Sequence, residues 1–205
     1  ITILPIMVPI IVLLKLTSEG EIFFLQKRIG FKNKTFKIFK FATMLKNSSR
    51  MKGGYITVKN DPRLTYMGDF LRRTKINEIP QLLNIILGDM SVVGPRPVME
   101  ISFEAYPKEV KKIIYDSKPG LTGIGSIVFR DEERLITDHK NAGGDIENYY
   151  KNVIYPFKGK LEIWYKNNKS FYIDLILIFL TIWVIIFPGS KIYEKILTNL
   201  PRRNF

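Results

Sequence analysis

The sequence predicts an α+β fold: a mainly helical single domain with a small β-hairpin, a truncated re-entrant membrane helix and amphipathic helices at the membrane interface. Three observations lead to this class. Apolar residues recur at helical spacing in several segments. Two runs rich in Ile and Phe flank a turn, as in a hairpin. The 205 residues are 46% hydrophobic, enough to fill one core and to leave apolar surface for another contact.

The first element is an apolar segment, ITILPIMVPIIVLL, that ends at Lys15. As a straight helix it would rise about 21 Å, which is less than the ~30 Å hydrocarbon core of a bilayer. Pro5 and Pro9 would also kink it. We therefore interpret residues 1–16 as part of a broken helix that enters a membrane without crossing it, and we expect the natural segment to begin before the first residue given. A buried core helix is the alternative.

The next elements are a hairpin, a loop and a helix. The hairpin is predicted in EIFFLQKRIGFKNKTFKIFKF, with its turn around Gly30 and Asn33. Residues 46–60 are polar and include Gly53 and Gly54, so we expect a mobile loop there. The helix is predicted in DPRLTYMGDFLRRT, where the apolar residues fall on one helical face.

The clearest helix pattern follows the segment RRTKINEIPQ. One buried apolar stripe is predicted from Ile79, Leu82, Leu83, Ile86 and Leu87. Pro80 then belongs in the first helical turn and Gly88 just past the helix end. Asn77 and Glu78 come to the helix N-terminus, where free backbone N–H groups and the helix dipole favour an anion. Helix capping is the alternative role for Asn77, because Asn is a good N-cap residue.

Further helices and a glycine-rich loop are predicted in the second half of the chain. FEAYPKEVKKIIYD is expected to be helical with an interruption at Pro107. The glycines of KPGLTGIGS would let the backbone approach a ligand, but their spacing matches neither a Walker A loop nor a dinucleotide fingerprint. Residues 171–187 form a second apolar run that suits a helix lying in the membrane interface, flanked by lysines, with a true span as the alternative.

The charge and the cysteine content limit the function classes. There is no cysteine, which excludes disulfides and thiolate redox or metal chemistry. The formal charge of +13 points to a polyanionic partner: nucleic acid, an anionic lipid surface or a phosphorylated small molecule. We expect no nucleic-acid partner, because the basic residues are interleaved with membrane-suited apolar segments and no DNA- or RNA-binding motif is present.

Five motifs occur in an order that resembles one protein family: LKLTSEGEIFFLQKRIG, FKIFKFATM, DPRLTYMGDFLRRTKINEIPQLLNIILGDMSVVGPRP, KPGLTG and SFYIDLILIFLT. The sequence is similar to the bacterial sugar transferases, the monotopic phosphoglycosyl transferases of surface-glycan assembly. The resemblance implies transfer of a sugar 1-phosphate from a nucleotide-activated sugar, expected to be a UDP-sugar, to polyprenyl phosphate (undecaprenyl phosphate). This would be the first membrane step of polysaccharide or glycoconjugate assembly.

The resemblance also implies a location and partners. Residues 17–205 would form a cytosolic catalytic domain, with a membrane-interface helix near 171–187, on the cytoplasmic face of the bacterial inner membrane. Membrane lipids and the two substrates are the expected partners, and downstream glycosyltransferases are further candidates. A non-catalytic membrane scaffold that binds polyprenyl phosphate or assembly partners is the alternative function.

The family's catalytic residues are an Asp-Glu pair that works with Mg²⁺, and Asn77 and Glu78 stand at its positions, so Asn replaces Asp. Two roles are therefore open for Glu78: it is the nucleophile, or it is a Mg²⁺ ligand while the acceptor phosphate attacks directly. The residues that the resemblance assigns to substrate phosphates are Arg72 and, in the PRP motif, Pro95, Arg96 and Pro97. Lys40 and Asp174 are candidate supporting residues.

Overall fold

The computed structural model describes residues 4–17, 19, 21–51, 57–58 and 60–205. It is mainly helical, with a small β-hairpin, as predicted. The chain divides into two compact units: unit 1 comprises Ile1–Gln26 and Lys37–Asn84, and unit 2 comprises Lys27–Phe36 and Ile85–Phe205. The glycine pair at 53–54, the centre of the predicted mobile loop, lies outside the described residues, and the loop begins with a 3₁₀ turn over Lys46–Arg50.

Unit 1 carries the N-terminal helix and the central motif. Its elements are α1 (Leu4–Thr17), the paired parts of strands β1 (Phe23–Ile29) and β2 (Thr35–Phe41), α2 (Gly68–Arg73), a 3₁₀ helix (Ile76–Gln81) and the start of α3 (Leu82–Ile86). Met7 and Leu14 of α1 pack with Phe41 and Leu71 in the core of this unit. Val8, Val12 and Leu16 on α1 are exposed. Helix α1 therefore buries one apolar face and leaves another uncovered.

The DPR segment contributes a buried ion pair, Asp61 with Arg63, to unit 1. Arg63 Nε and Nη2 donate to Asp61 Oδ1 and Oδ2 at 2.9 and 2.7 Å, and both side chains are buried. The arginine lowers the pKa of Asp61, so the pair stays ionised. The backbone carbonyl of Arg63 accepts a hydrogen bond from Leu45 N at 2.9 Å. A paired, doubly hydrogen-bonded charge can be buried at this position because few of its polar atoms are left unsatisfied.

The apolar stripe predicted for the central helix is wrong for Leu83, Ile86 and Leu87, whereas Ile79 packs against the core of unit 1. The buried residues of this region are Asn77, Glu78, Pro80, Gln81 and Asn84, whereas Leu83, Ile86 and Leu87 are 41%, 71% and 67% exposed. Asn84 shows the reason, because its Nδ2 donates to Lys37 O at 2.8 Å and its Oδ1 accepts from Phe39 N at 3.0 Å. The polar face of the helix satisfies backbone groups of β2, so the apolar face is turned outward.

Unit 2 contains a two-stranded parallel sheet that the sequence analysis did not predict. Strands β3 (Ser91–Val93) and β4 (Gly120–Thr122) pair with Ser91 opposite Gly120 and Val93 opposite Thr122. The helices are α4 (Glu100–Glu104), α5 (Lys108–Ile113), α6 (Ile124–Val128), α7 (Glu132–Asn141), α8 (Ile146–Tyr149), α9 (Tyr155–Asn168), α10 (Phe171–Ile186) and α11 (Tyr193–Ile196), with a π-helical turn, Tyr150–Ile154, before α9.

The core of unit 2 lies between these helices and the hairpin tip. Phe103, Tyr106, Val110, Ile114 and Tyr115 pack together with Ile29. Helix α9 packs against α5 and α6, and α10 packs against α6 and against strands β3 and β4. The predicted break at Pro107 is confirmed, since it separates α4 from α5.

None of the helices in the described ranges is both long and apolar enough to cross a bilayer. The apolar run near the end of the chain forms α10, a helix of 16 residues. The interpretation of α1 as a re-entrant membrane helix stays a prediction.

Candidate active site

Glu78 is a buried carboxylate in the first turn of the 3₁₀ helix Ile76–Gln81, with 6% of its surface exposed. Its Oε1 lies 3.7 Å from Lys40 Nζ and 4.0 Å from Lys75 Nζ. The structure thus brings the predicted supporting residue Lys40, from β2, to the predicted catalytic carboxylate. The two ammonium groups lie next to the Glu78 carboxylate, an arrangement that also suits anionic substrate oxygens.

Lys75 is a site residue that the sequence analysis missed. Lys75 is partly buried, and its Nζ reaches the Glu78 carboxylate. Its backbone is left-handed, at φ 62°, as the residue that precedes the 3₁₀ helix. This conformation costs a non-glycine residue about 1 kcal/mol or more, and such strain concentrates at functional sites. The signal in the sequence was its position three residues before Glu78, a spacing that makes two side chains neighbours on a helical turn.

Asn77 does not cap the helix. The N-cap position belongs to Lys75, no side chain makes a capping hydrogen bond there, and Asn77 lies inside the helix. Asn77 is 6% exposed and its Oδ1 has no hydrogen-bond partner among the described residues. An unsatisfied buried carbonyl oxygen costs about 1–3 kcal/mol. The amide oxygen of Asn77 is therefore a buried acceptor without a partner among the described residues, in the residue directly before Glu78.

The remaining unit 1 candidate, Arg72, lies in the last turn of α2 and is partly buried. Its neighbour Arg73 is exposed and pairs with Asp69 at 2.9 Å, which agrees with a solvated surface residue. Arg72 and Arg73 therefore differ in environment although they are adjacent in sequence, and Arg72 is the one withdrawn from solvent.

The second group of predicted residues, Pro95, Arg96 and Pro97, forms one loop of unit 2 directly after β3. Backbone hydrogen bonds hold both sides of this loop: Gly120 N donates to Pro95 O and Ile29 N donates to Val98 O, each at 2.9 Å. The guanidinium of Arg96 is partly buried, with Nη1 3.5 Å from the Ser126 hydroxyl. Backbone hydrogen bonds therefore fix the loop on both sides of Arg96, and the Arg96 guanidinium lies near Ser126 on α6.

Tyr115 is a second residue that the sequence analysis missed. It is 1% exposed, and its hydroxyl donates to Arg96 O at 2.8 Å and accepts from Val98 N at 3.1 Å. One side chain thus bridges the two residues on either side of Pro97, which has no N–H of its own. Nothing in the spacing of the sequence indicates this long-range contact.

The glycines of KPGLTG have a structural role, and the predicted approach of their backbone to a ligand stays a prediction. A Cβ on Gly120 would overlap the backbone of Gly94, and a Cβ on Gly123 would overlap the Gly94 carbonyl. Gly94 in turn has no room for a side chain because Lys118 O and Gly120 N lie against it. These glycines let two loop backbones approach each other, one of which carries Arg96.

Asp174 lies in the first turn of α10, and its Oδ1 accepts from the Tyr165 hydroxyl at 2.7 Å. This bond joins the end of α9 to the start of α10.

The predicted site residues fall in both units. Unit 1 holds Lys40, Arg72, Asn77 and Glu78, and unit 2 holds Pro95, Arg96, Pro97 and Asp174.

The donors around Glu78 fit Mg²⁺ only in part. No group of three or more His, Cys, Asp or Glu side chains suitable for a metal occurs within the ranges that the structure describes. Protein Mg²⁺ sites commonly use one or two carboxylates together with substrate phosphates and water. The Glu78 carboxylate and the unsatisfied Asn77 oxygen agree with that mode, with the substrate completing the coordination.

Positive charge gathered at one buried carboxylate is typical of enzymes that act on phosphate-bearing substrates. Comparison with known proteins gives the particular family. The chain belongs to the bacterial sugar transferase family, whose model matches residues 1–188.

Individual relatives agree with this family. The exopolysaccharide production protein ExoY of Sinorhizobium fredii (strain NBRC 101917 / NGR234) is 33% identical over 192 residues, which are 87% of this chain and 76% of ExoY. The UDP-glucose:undecaprenyl-phosphate glucose-1-phosphate transferase of Klebsiella pneumoniae is 33% identical over 89% of this chain and 36% of its own length. The UDP-N-acetylgalactosamine-undecaprenyl-phosphate N-acetylgalactosaminephosphotransferase of Aeromonas hydrophila is 30% identical over 89% and 39%. The chain thus spans under two fifths of these two named transferases.

Proposed function

We propose that this protein transfers a sugar 1-phosphate from a UDP-sugar to a polyprenyl phosphate, undecaprenyl phosphate, as the first membrane step of surface polysaccharide assembly. Family membership and the names of the relatives support the reaction class. The observation that carries it to this chain is the buried carboxylate of Glu78, whose Oε1 lies 3.7 Å from Lys40 Nζ and 4.0 Å from Lys75 Nζ.

Two chemical routes use this arrangement. In the first, a Glu78 oxygen attacks the phosphorus that bears the sugar, the bond to UMP breaks, and UMP leaves. An oxygen of the polyprenyl phosphate then attacks the same phosphorus, which releases the carboxylate and gives the polyprenyl diphosphate sugar. In the second, the acceptor phosphate attacks directly and Glu78 only binds and orients the donor.

The lysines have the same task in both routes. Negatively charged diphosphate and phosphate oxygens repel a carboxylate and each other, and the ammonium groups of Lys40 and Lys75 reduce this repulsion at the position of attack. Arg72 and Arg96 are proposed to bind substrate phosphates with forked N–H donors. Mg²⁺, bound by Glu78 and Asn77 together with the substrate, would supply additional charge neutralisation.

We further propose that the protein is monotopic, on the cytoplasmic face of the bacterial inner membrane. Exposed apolar side chains support a membrane contact: they line α1 at Val8, Val12 and Leu16, and α10 at Phe171, Tyr172, Leu175, Phe179, Ile182 and Ile186. Such surfaces are rare on proteins that contact only water. The formal charge of +13 would favour an anionic leaflet.

The decisive experiment measures UMP release by the purified protein from a panel of UDP-sugars with polyprenyl phosphate in detergent. We expect release with at least one sugar, and its loss by a factor of about 100 or more in Glu78→Gln. The matched control is Glu109→Gln, at an exposed carboxylate on α5. An active wild type rules out the scaffold alternative, whereas equal activity of the two variants would refute the role of Glu78.

Trapping separates the two routes. The protein is incubated with UDP-sugar alone, quenched and mapped by mass spectrometry. A phosphosugar on Glu78 with ping-pong kinetics supports covalent catalysis, and the absence of an adduct with a ternary-complex rate law supports direct attack. Asn77→Asp is the companion variant: a gain in rate means that the amide limits the chemistry, and a loss means that the site has adapted to it.

A further inference from the structure

Unit 2 contains an open groove between strand β3 and the N-terminal half of α10. Its volume is about 520 Å³, within the range of small-molecule sites. Ser91 to Val93 form one side, residues between Phe171 and Ile178 contribute the other, and Ser117, Lys118 and Lys169 also line it. None of the residues proposed above to bind the donor lines this groove, and Asp174 is its only predicted site residue.

The walls of the groove are apolar and only partly covered. Phe171 is 80% exposed, Leu175 is 49% exposed and Val92 is 46% exposed. Ile178 continues the wall along α10. Phe171, Leu175 and Ile178 follow one another at helical spacing along α10, and this apolar face gains free energy when a hydrocarbon chain covers it.

Two basic residues line the same groove. Lys118 and Lys169 make no ion pair among the residues that the structure describes, whereas the nearby Lys166 pairs with Asp116 at 2.6 Å. The one carboxylate of the groove, Asp174, accepts from the Tyr165 hydroxyl. The groove therefore offers two cations against one carboxylate that is already hydrogen-bonded.

This combination selects an amphipathic anion with one hydrocarbon chain. A phosphate monoester carries a charge of about −1.5 to −2 at neutral pH, because its second pKa is about 6. Two lysines match that charge better than they match a phosphodiester lipid headgroup, whose phosphate carries a single negative charge. Strand β3 also leads directly into the loop of Arg96, so the groove adjoins a proposed phosphate-binding element of its own unit.

We propose that the groove binds the acceptor substrate, a long-chain isoprenyl monophosphate, with its phosphate between Lys118 and Lys169 and its first isoprene units against Phe171, Leu175 and Ile178. The proposal rests on the proposed function for the identity of the reaction. It adds the location of the acceptor and the residues that select it.

Steady-state kinetics test the two lysines. The variants are Lys118→Gln, Lys169→Gln and the double variant, and the control is Lys140→Gln, an exposed lysine on α7. We expect the double variant to raise the KM for polyprenyl phosphate about tenfold or more, with the KM for UDP-sugar unchanged within about twofold. An acceptor KM equal to that of Lys140→Gln would overturn the proposal.

Chain recognition is tested with Phe171→Ser, which changes an exposed residue and so spares the fold. We expect this variant to raise the KM for a long-chain acceptor more than the KM for a short acceptor of two isoprene units. Equal changes for the two acceptors would contradict the assigned wall.

If the wild type releases no UMP, the proposed function is refuted but the groove is not. Photolabelling tests the groove independently of activity. A benzophenone-bearing isoprenyl monophosphate is crosslinked to the wild type in detergent and the adduct is mapped. Labelling within residues 171–178 that isoprenyl monophosphate displaces, and that an equal concentration of anionic phospholipid does not, supports the groove. Labelling elsewhere, or equal displacement by phospholipid, refutes it, and equal displacement would mean a general lipid contact.

Discussion

Removing the Tyr115 hydroxyl should loosen the loop that carries Arg96 without removing any group that could touch a substrate. In the wild type this hydroxyl donates to Arg96 O at 2.8 Å and accepts from Val98 N at 3.1 Å. Burial raises the pKa of Tyr115, so the phenol stays protonated and able to donate across the working pH range. Tyr115→Phe keeps the ring in the core and leaves both backbone groups without this partner.

The magnitude follows from the two lost hydrogen bonds. Each is worth about 0.5–1.5 kcal/mol net, and a buried backbone group left unsatisfied costs about 1–3 kcal/mol. Both bonds are only partly buried, so we expect a total of about 2–3 kcal/mol. If most of this free energy is lost from transition-state binding because Arg96 is misplaced, kcat/KM for UDP-sugar falls by about 30- to 150-fold, at about 1.4 kcal/mol for each factor of ten.

The assay is UMP release, with thermal unfolding measured in parallel. Tyr155→Phe is the matched control, because its hydroxyl donates to Ser102 Oγ at 2.7 Å in the same unit and does not contact the loop. We expect both variants to lose stability and only Tyr115→Phe to lose more than about tenfold in kcat/KM. Equal kcat/KM in the two variants would refute a positioning role for Tyr115.

Three further predictions concern stability and membrane contact. Burial raises the pKa of Glu162 to about 8 from 4.5; its contribution to stability is therefore full below about pH 4.5 and is lost as pH rises through 8, by up to about 5 kcal/mol at about 1.4 kcal/mol per pH unit. Thermal unfolding between pH 5 and pH 9 should thus show a smaller loss in Glu162→Gln than in wild type, and parallel curves would disprove the assignment. Gly120→Ala should sharply reduce soluble expression and the melting temperature, because its Cβ overlaps Gly94, whereas Gly189→Ala, with open space around it, should leave both unchanged. Ile182→Ser should weaken binding to anionic vesicles and leave the melting temperature within about 2 °C, since Ile182 on α10 is 56% exposed; unchanged vesicle binding would exclude this face of α10 from the membrane contact.

Much of the architecture was predictable from local pattern. The hairpin, the break at Pro107, the helix over residues 171–186 and the helical turn that begins near Glu78 all depend on neighbours within about four residues, where turn chemistry and periodicity act directly. The resemblance to the bacterial sugar transferases rested on motifs in a fixed order, and it is confirmed by the family match over residues 1–188.

The orientation of the central helix shows where local pattern fails. Periodicity identifies which residues share a face, but it does not say which face a neighbouring element covers. Here Asn84 satisfies the backbone of β2, so the polar face is inside and Ile86 and Leu87 point outward. In a protein that contacts lipid, an apolar helix face can be buried against the lipid instead of against the protein core.

For the candidate site too, some features were predictable from the sequence and others only from the structure. The central motif of the sequence determined the choice of Glu78 and Asn77, because residue type and motif position are properties of the chain itself. Only the tertiary structure decided that Lys40 reaches Glu78, that the Asn77 oxygen is buried without a partner among the described residues instead of capping a helix, and that Tyr115 bridges the loop of Arg96. Lys75 stands three residues before Glu78, so their approach follows from spacing on a helical turn. The contacts of Lys40 and Tyr115 join segments that are distant in sequence, and these depend on how all the elements pack together.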